Sequence, residues 1–503
     1  MAQISLKNPP EVFVSTAAMS AAVSRAVAAG KLRRLGSRLY TTNHAEEAAS
    51  LIRRNLWDIV AGFFPGGLVA DRTALEHQPA PDGSVFVVAP RGGNVALPGV
   101  TLRARRGLGP QPDDFVLRDG LYCMSTARAL IENMRPTRAR SGAARTLKRD
   151  EIEIWLDRFL RNSGKERLNA LRDQIGASAS ELKMDEEVRE LDAMIGTLLG
   201  TRNAKLTAPV AKARARGTSY DPKRIALFEK FHDALRRFPP EPARLWQPTG
   251  RAATNQAFFE AYFSNFIEGT EFAFDEAREI IFDGVIPVSR PADAHDVLGT
   301  FRLVSDPEEM KRLPKNADAF LDILRQRHRT IMEGRPEKTP GEFKDRPNQV
   351  GTFIFVAPED VHGTLEQGFG IYQRLSEPLH RAIFMMFLVS EVHPFLDGNG
   401  RLARVMMNAE LAATRQMRVL IPIVYRSNYI SSLRALSANA WPEPIIKTLL
   451  FAQRYVAAIP WNDLMRARSV LTRTNAFVRP EQGDEEGIRL RIPDTADLED
   501  SKP

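Results

Sequence analysis

The residues with the greatest chemical capacity stand together in Glu391-Val-His-Pro-Phe-Leu-Asp-Gly-Asn-Gly-Arg-Leu-Ala-Arg404. His393 is the one side chain in this stretch whose ordinary pKa suits proton transfer near neutral pH. Asp397 is a hard oxygen ligand of the kind Mg²⁺ takes beside phosphates. Gly398, Asn399 and Gly400 can present consecutive backbone N–H groups, an anion-binding nest where a helix begins. Arg401 and Arg404 sit in the first turn of that helix. There they oppose its dipole unless an anion lies between them, and guanidinium forks match phosphate oxygens. A general base beside an oligophosphate and a metal is equipment for phosphoryl or nucleotidyl transfer.

Two helices must hold these groups. The apolar run Leu379–Val389 predicts a largely buried helix. Pro394 disfavours the α region at His393, so that helix should end at or just before His393. Leu402, Val405, Met406 and Ala409 share one face of a second helix. Helix, short polar loop, helix is the reading. Gly398-Asn-Gly-Arg-Leu-Ala403 also fits a loose dinucleotide fingerprint. That fingerprint requires a preceding strand and an acidic residue about 20 positions on, and both are missing.

The stretch from His393 to Arg404 matches the Fic signature, HxFx(D/E)GNGRxxR, at every defined position, and the chain resembles that family. The resemblance implies a mainly α fold: an α-helical Fic domain with a small β-hairpin flap. It implies transfer of AMP from ATP, with Mg²⁺, to a Ser, Thr or Tyr hydroxyl of a target protein. By position, His393 would deprotonate the hydroxyl and Asp397 would hold Mg²⁺. Gly398, Asn399, Gly400 and Arg401 would cradle the phosphates, and Arg404 would meet the γ-phosphate.

Upstream, a helix is predicted from about Thr254 to Glu268, with Phe259, Tyr262, Phe263, Phe266 and Ile267 as its buried stripe. Ser264-Asn-Phe-Ile-Glu-Gly269 matches the family's (S/T)xxxE(G/N) inhibitory motif, which implies that Ser264 and Glu268 restrain the site and that Glu268 docks on Arg404. The resemblance also permits AMP removal, with Glu268 positioning a water. Pro340–Val356 resembles the family's target-binding flap, with Val350, Gly351, Thr352 and Phe353 at its tip. Lys344 stands where relatives usually carry Arg. Tyr425-Arg-Ser-Asn-Tyr429 corresponds to the nucleotide-base side, where Tyr429 either lies against adenine or is a core tyrosine.

The remainder is read more coarsely. A chain of 503 residues holds roughly two to four domains. Its 43% hydrophobic and 26% charged residues fit an ordinary soluble protein, and a net charge of +8 is mild at this size. The single Cys123 excludes an intrachain disulfide framework. No apolar run approaches the 18 or so residues of a membrane span, and Ser15–Gly30 lacks the compact basic start of a signal peptide. A cytoplasmic protein is expected.

Residues 1–62 read as a winged helix-turn-helix: a helix from Ser15 to about Ala29, then a hairpin in Lys31–Thr42 carrying Lys31, Arg33, Arg34 and Arg38. Such a hairpin suits DNA phosphates. This region resembles AbiEi-type antitoxins, DNA-binding repressors. Asp71–Glu76 and Asp119–Ile131 resemble the next module, a small α/β unit over 63–135 with strands at Ser84–Ala89 and Val100–Arg105. From Arg103 to Arg149 the balance is basic, with Arg103, Arg105, Arg106, Arg135, Arg138, Arg140, Arg145, Lys148 and Arg149. Residues 136–237 read as a helical region with no evident chemistry, 238–253 as a linker, 254–474 as the Fic domain and 475–503 as a disordered tail. Two other readings stand beside the enzyme: a DNA-binding regulator with an accessory Fic domain, and a Fic enzyme using another donor. Homo-oligomerisation is left open.

Overall fold

The computed structural model describes residues 9–499 apart from Asp119, Arg140 and Ser141. Asp119, Arg140 and the last residues of the expected tail, 500–503, therefore lie outside the described residues. The chain divides into two units, Met1–Arg216 and Gly217–Pro503.

In the first unit, β1 (Val12–Val14), β2 (Arg33–Gly36) and β3 (Leu39–Thr41) form a sheet in the order β1-β3-β2. The β2–β3 hairpin is the one its alternation predicts. The helix before it differs from expectation. It runs Ser20–Ala28 after a 3₁₀ turn at Ala17–Met19, and Ser15 instead ties to the hairpin, its N–H on the Arg38 carbonyl 2.7 Å away. Among the described residues one helix precedes the hairpin, not a helix pair. The hairpin arginines are also partly engaged. Arg33 donates to the His44 and Glu46 carbonyls at 3.2 and 2.6 Å, Arg34 to the Gly36 carbonyl at 3.1 Å, and Arg38 to the Ser15 carbonyl at 3.0 Å.

A mixed six-stranded sheet follows, built from β4 (Gly67–Val69), β5 (Ser84–Val88), β6 (Gly93–Leu97), β7 (Val100–Arg105), β8 (Phe115–Arg118) and β9 (Leu121–Cys123). Its order is β6-β7-β5-β4-β9-β8. Every residue of β5 is buried, as a continuous apolar strand should be. Asp71 opens a short helix at φ 56, fully buried, and its carboxylate accepts from Arg105 and Arg145. That motif therefore holds the unit together. Helices Arg149–Leu182, broken at Gly164, Asp185–Leu198 and Pro209–Ala215 complete the unit.

Among the described residues the second unit is helical apart from one hairpin and an isolated bridge between Leu245 and Gln416. Its elements include α1 (Pro222–Arg237), α2 (Gly250–Ile267), α3 (Pro291–Ser305), α4 (Ala317–Ile331), α5 (Pro378–Val392) and α6 (Asn399–Ala413). The hairpin pairs β10 (Gln349–Val350) with β11 (Phe353–Ile354). Nearly all of α5 is buried, and Phe228 and Phe231 of α1 pack on its Phe384 and Phe387 at ring distances of 5.1–6.1 Å. This contact moves the boundary: α1, read as part of the middle region, belongs to the second unit, which begins at Gly217.

Nor is 238–253 a free linker. The Trp246 N–H donates to the Arg415 carbonyl and the Met417 N–H to the Arg244 carbonyl, so the stretch pairs with the end of α6, and α2 already starts at Gly250. Residues 475–499 are likewise not a disordered tail. They carry short helices at Pro480–Glu485 and Thr495–Glu499, bury Leu490 and pair Arg491 with Asp497. Charged composition hid this docking, because a few buried apolar side chains suffice to anchor so short a segment. Among the described residues no helix is long and apolar enough to cross a membrane.

Candidate active site

Helix α5 stops at Val392 because His393 is held in the left-handed region, φ 53 and ψ 60, with its N–H on the Val389 carbonyl at 3.0 Å. Pro394 enforces the exit. His393 Nδ1 lies 3.2 Å from the Ser390 carbonyl, which can only accept. Nδ1 therefore carries the proton, and Nε2 keeps a free lone pair. Phe355 stacks on the imidazole at 3.8 Å and 13°. Burial pushes the His393 pKa down to about 4, against the opposing pull of the Ser390 carbonyl. The ring is neutral at physiological pH and ready to accept a proton.

The loop after it is braced from inside. Asn399 accepts from the Phe395 N–H and donates to the Phe395 carbonyl, at 2.9 and 2.8 Å. Asp397 Oδ1 accepts from the Gly398 N–H at 2.7 Å. The expected nest is thus shifted by one residue. Gly398 spends its N–H on the neighbouring carboxylate, and the first-turn N–H groups of Asn399, Gly400 and Arg401 are those without an intrahelical acceptor. Gly398 sits at φ 72, and a Cβ there would lie 2.6 Å from Met332 Sδ. Below the loop, His328 accepts from the Gly341 N–H on Nδ1 at 2.9 Å and donates from Nε2 to the Asp397 carbonyl at 3.0 Å. Its pKa is lowered by burial to about 4.

The Asp397 side chain is 40% exposed, with Lys338 Nζ 3.9 Å from Oδ2. Among the described residues no cluster of three or more His, Cys, Asp or Glu side chains forms a metal cage. A single carboxylate fits Mg²⁺, which takes one or two protein oxygens and completes its shell with phosphate and water.

The two arginines diverge. Arg401 is 2% exposed. Its guanidinium pairs with Asp296 at 2.7 Å and reaches Asn265 Oδ1 at 3.3 Å. It braces the loop from beneath, where the sequence reading had it cradle phosphates together with the nest. Arg404 instead meets the predicted motif. Its Nε donates to Ser264 Oγ at 3.0 Å, and one terminal nitrogen reaches both the Ser264 carbonyl and Glu268 Oε1 at 2.8 Å. Glu268 also presses on Gly400, where a Cβ would lie 2.2 Å from Oε1. Burial opposes the Glu268 charge, yet Arg404 and Arg401 hold its carboxyl below the usual range. Tyr429 is 1% exposed, with its hydroxyl toward Met386 and Arg404. Of its two readings the core tyrosine holds, since a ring so enclosed has no face for adenine.

The family model for the Fic/DOC family matches residues 319–411. Residues 319–411 are a Fic domain. Protein adenylyltransferase fic-1 of Caenorhabditis briggsae is 27% identical over 184 residues, covering 35% of this chain and 36% of the relative. Protein adenylyltransferase Fic of Drosophila willistoni is 25% identical over 312 residues, covering 59% and 58%. The chain spans between 36% and 58% of the length of these curated relatives. A solved Fic-1 structure from C. elegans aligns at a TM-score of 0.35 and 18% identity, over 65% of this chain and 90% of that one.

Several groups that shape the Fic domain's site lie outside the matched segment: Ser264 and Glu268 on α2, Asp296 on α3 and Arg224 on α1. Motif reading found the first two and missed the others, whose roles depend on contacts 100 or more positions away. The flap falls where it was expected, with Val350, Gly351, Thr352 and Phe353 at the tip and Gly351 at φ 59. Lys344 is buried behind it, with Nζ on Asn348 Oδ1 at 2.6 Å, and burial lowers its pKa to about 7. Phe355 and His328 were not foreseen as partners of the signature loop, because stacking on His393 and on Phe395 leaves no periodic trace.

Proposed function

We propose that the second unit is a protein adenylyltransferase restrained by α2, taking ATP with Mg²⁺ and placing AMP on a Ser, Thr or Tyr hydroxyl of a target protein. The names of the relatives support this reading. One structural observation carries it: a neutral imidazole with a free Nε2 stands at the mouth of a helix-terminal nest whose arginine is already engaged by a carboxylate of the same chain. In the reaction the hydroxyl oxygen attacks the α-phosphorus, and its proton passes to His393 Nε2. The bond from that phosphorus to the pyrophosphate oxygen breaks as the new ester forms. Asn399 and Gly400 N–H groups receive phosphate oxygens, and Asp397 would hold the Mg²⁺ that neutralises charge on the phosphates.

Docked on Arg404, Glu268 takes the contact a γ-phosphate would use, and ATP then binds with its α-phosphate turned from the line of attack. A shift of about 1 Å already costs roughly 10²-fold. The same carboxylate, whose side chain is 26% exposed, can orient a water, which supports AMP removal as a second activity of the pocket. The DNA-binding reading of residues 1–62 has weaker support, because none of these relatives supports it and Arg33, Arg34 and Arg38 each direct donors to backbone carbonyls. Intact-mass analysis of a lysate pool incubated with ATP, Mg²⁺ and the Glu268→Gly variant tests the proposal. Target masses raised by one AMP support it. Masses raised by another donor fragment, or no change at all, count against it.

A further inference from the structure

A closed circuit of contacts joins α1, the flap and the helix that ends at His393. Arg224 of α1 pairs with Glu391 at 2.7 Å. Its other terminal nitrogen donates to the Ile354 carbonyl at 2.9 Å, and its guanidinium lies 4.8 Å from the centre of the Phe353 ring. Glu391 is two residues before His393, is 2% exposed, and accepts from Ser437 Oγ at 2.5 Å. Ile354 immediately precedes Phe355, the ring stacked on His393. One side chain therefore ties both ends of the Phe355–His393 stack.

The hairpin register adds a second consequence. Val350 pairs with Phe353, Gln349 with Ile354, and the Phe355 N–H donates to the Asn348 carbonyl. In such an antiparallel pair alternate residues turn their backbone groups outward, here Gln349 on β10 and Ile354 on β11. Arg224 already takes the outward carbonyl of Ile354. Gln349 is exposed, and its outward N–H and carbonyl have no partner among the described residues.

We infer that Arg224 is a positioning residue that clamps the flap over His393, fixing the hairpin so that its β10 edge, the side on which the resemblance already expects the target to lie, stays uncovered. This deepens the adenylyltransferase reading and rests on it. A guanidinium suits the task because its planar fork holds a carboxylate and a carbonyl together in fixed geometry. Val350, on β10 itself, is 55% exposed beside that edge.

The full-length chain with Arg224→Ala is compared with the parent by amide hydrogen exchange. A second variant, Arg224→Ala with Glu391→Gln, removes the unpaired buried carboxylate in case the single change impairs folding. Flap amides from Gln349 to Phe355 should exchange at least fivefold faster, with α2 and α6 amides unchanged. Flap exchange equal to that of the parent overturns the clamp, whatever reaction the site performs. The second measurement uses the Glu268→Gly chain as enzyme and the His393→Ala chain as acceptor, with labelled ATP. Adding Arg224→Ala to the enzyme should raise the acceptor KM at least fivefold and leave the ATP KM within twofold. Equal rises in both constants overturn the positioning role. Absence of AMP transfer by the Glu268→Gly enzyme to this acceptor and to the lysate pool alike sinks the adenylyltransferase reading, and flap exchange then decides the clamp alone.

Discussion

At the level of single residues, His393 and Asp397 make separable predictions. His393→Ala should lower AMP transfer by ~10²–10⁴-fold, the usual contribution of a general base, with binding of a fluorescent ATP analogue nearly unchanged. Near-normal turnover in the folded variant would remove His393 from the chemistry. Because burial lowers its pKa to about 4, transfer by the Glu268→Gly protein should stay level from pH 8 to about 5. A midpoint near the ordinary histidine value of about 6.5 would show an imidazole in water. The same shift has a stability consequence. A histidine whose folded pKa lies below its unfolded value contributes fully above the unfolded value, and that contribution is lost as pH falls toward the folded one. His393 and His328 share this window, so the urea midpoint should fall between pH 6.5 and 4. Asp397 does two jobs, since Oδ1 also accepts from the Gly398 N–H. Asp397→Asn keeps an acceptor for that bond and removes the charge. It should therefore lose Mg²⁺-dependent transfer while keeping the parent's melting temperature. Full activity of Asp397→Asn in EDTA would exclude the metal role.

At the level of elements, α2 is the regulatory part. It is buried almost all round from Asn255 to Ile267, so only its last turn is placed to meet the site. Ser264 faces Arg404 there, and Glu268 is the residue at which the helix ends, with Gly269 at φ 88 just beyond. Removing the carboxylate leaves Arg404 held by Ser264 but without its anionic partner, and does not disturb the buried face. Glu268→Gly should raise target labelling at least tenfold, the factor for ~1.4 kcal/mol of barrier. The gain should disappear when His393→Ala is added. Unaltered or reduced labelling by Glu268→Gly would refute restraint by α2, and selective loss of AMP removal would assign Glu268 to positioning a water instead.

At the level of the whole molecule, the chain divides at Arg216 and Gly217, and every residue placed at the site lies in the second unit. A fragment beginning at Gly217 should fold, bind the ATP analogue with the affinity of the full chain, and respond to Glu268→Gly by the same factor. A fragment beginning at Thr254, the boundary read from composition, lacks α1. It would expose Phe384 and Phe387 and strand the Glu391 carboxylate without Arg224. Its expected behaviour is aggregation, or a melting temperature well below that of the longer fragment. Equal stability of the two fragments would show that α1 is dispensable to the unit.

What the sequence determined by itself was local in origin. The end of α5 at His393 follows from the proline after it, the loop glycines from the turn they make, and the face of α6 from apolar spacing. The β2–β3 hairpin and β7 were legible for the same reason, since alternation and turn residues act over a few neighbours, and β5 showed as a continuous apolar run, whereas the flap tip was legible only through the resemblance to the Fic family. The inhibitory pair Ser264 and Glu268 was legible only as a motif. Tertiary structure alone decided where long side chains point. Arg401 and Arg404 stand three apart on one helix, yet Asp296 draws the first beneath the loop and Glu268 holds the second beside the nest. The Tyr429 ring lies in the core, and the residues after Asn475 dock instead of trailing free. Ion pairs between positions more than a hundred residues apart, such as Arg224 with Glu391, leave no period or spacing in the chain. They exist because folding brings buried charges against partners able to compensate them.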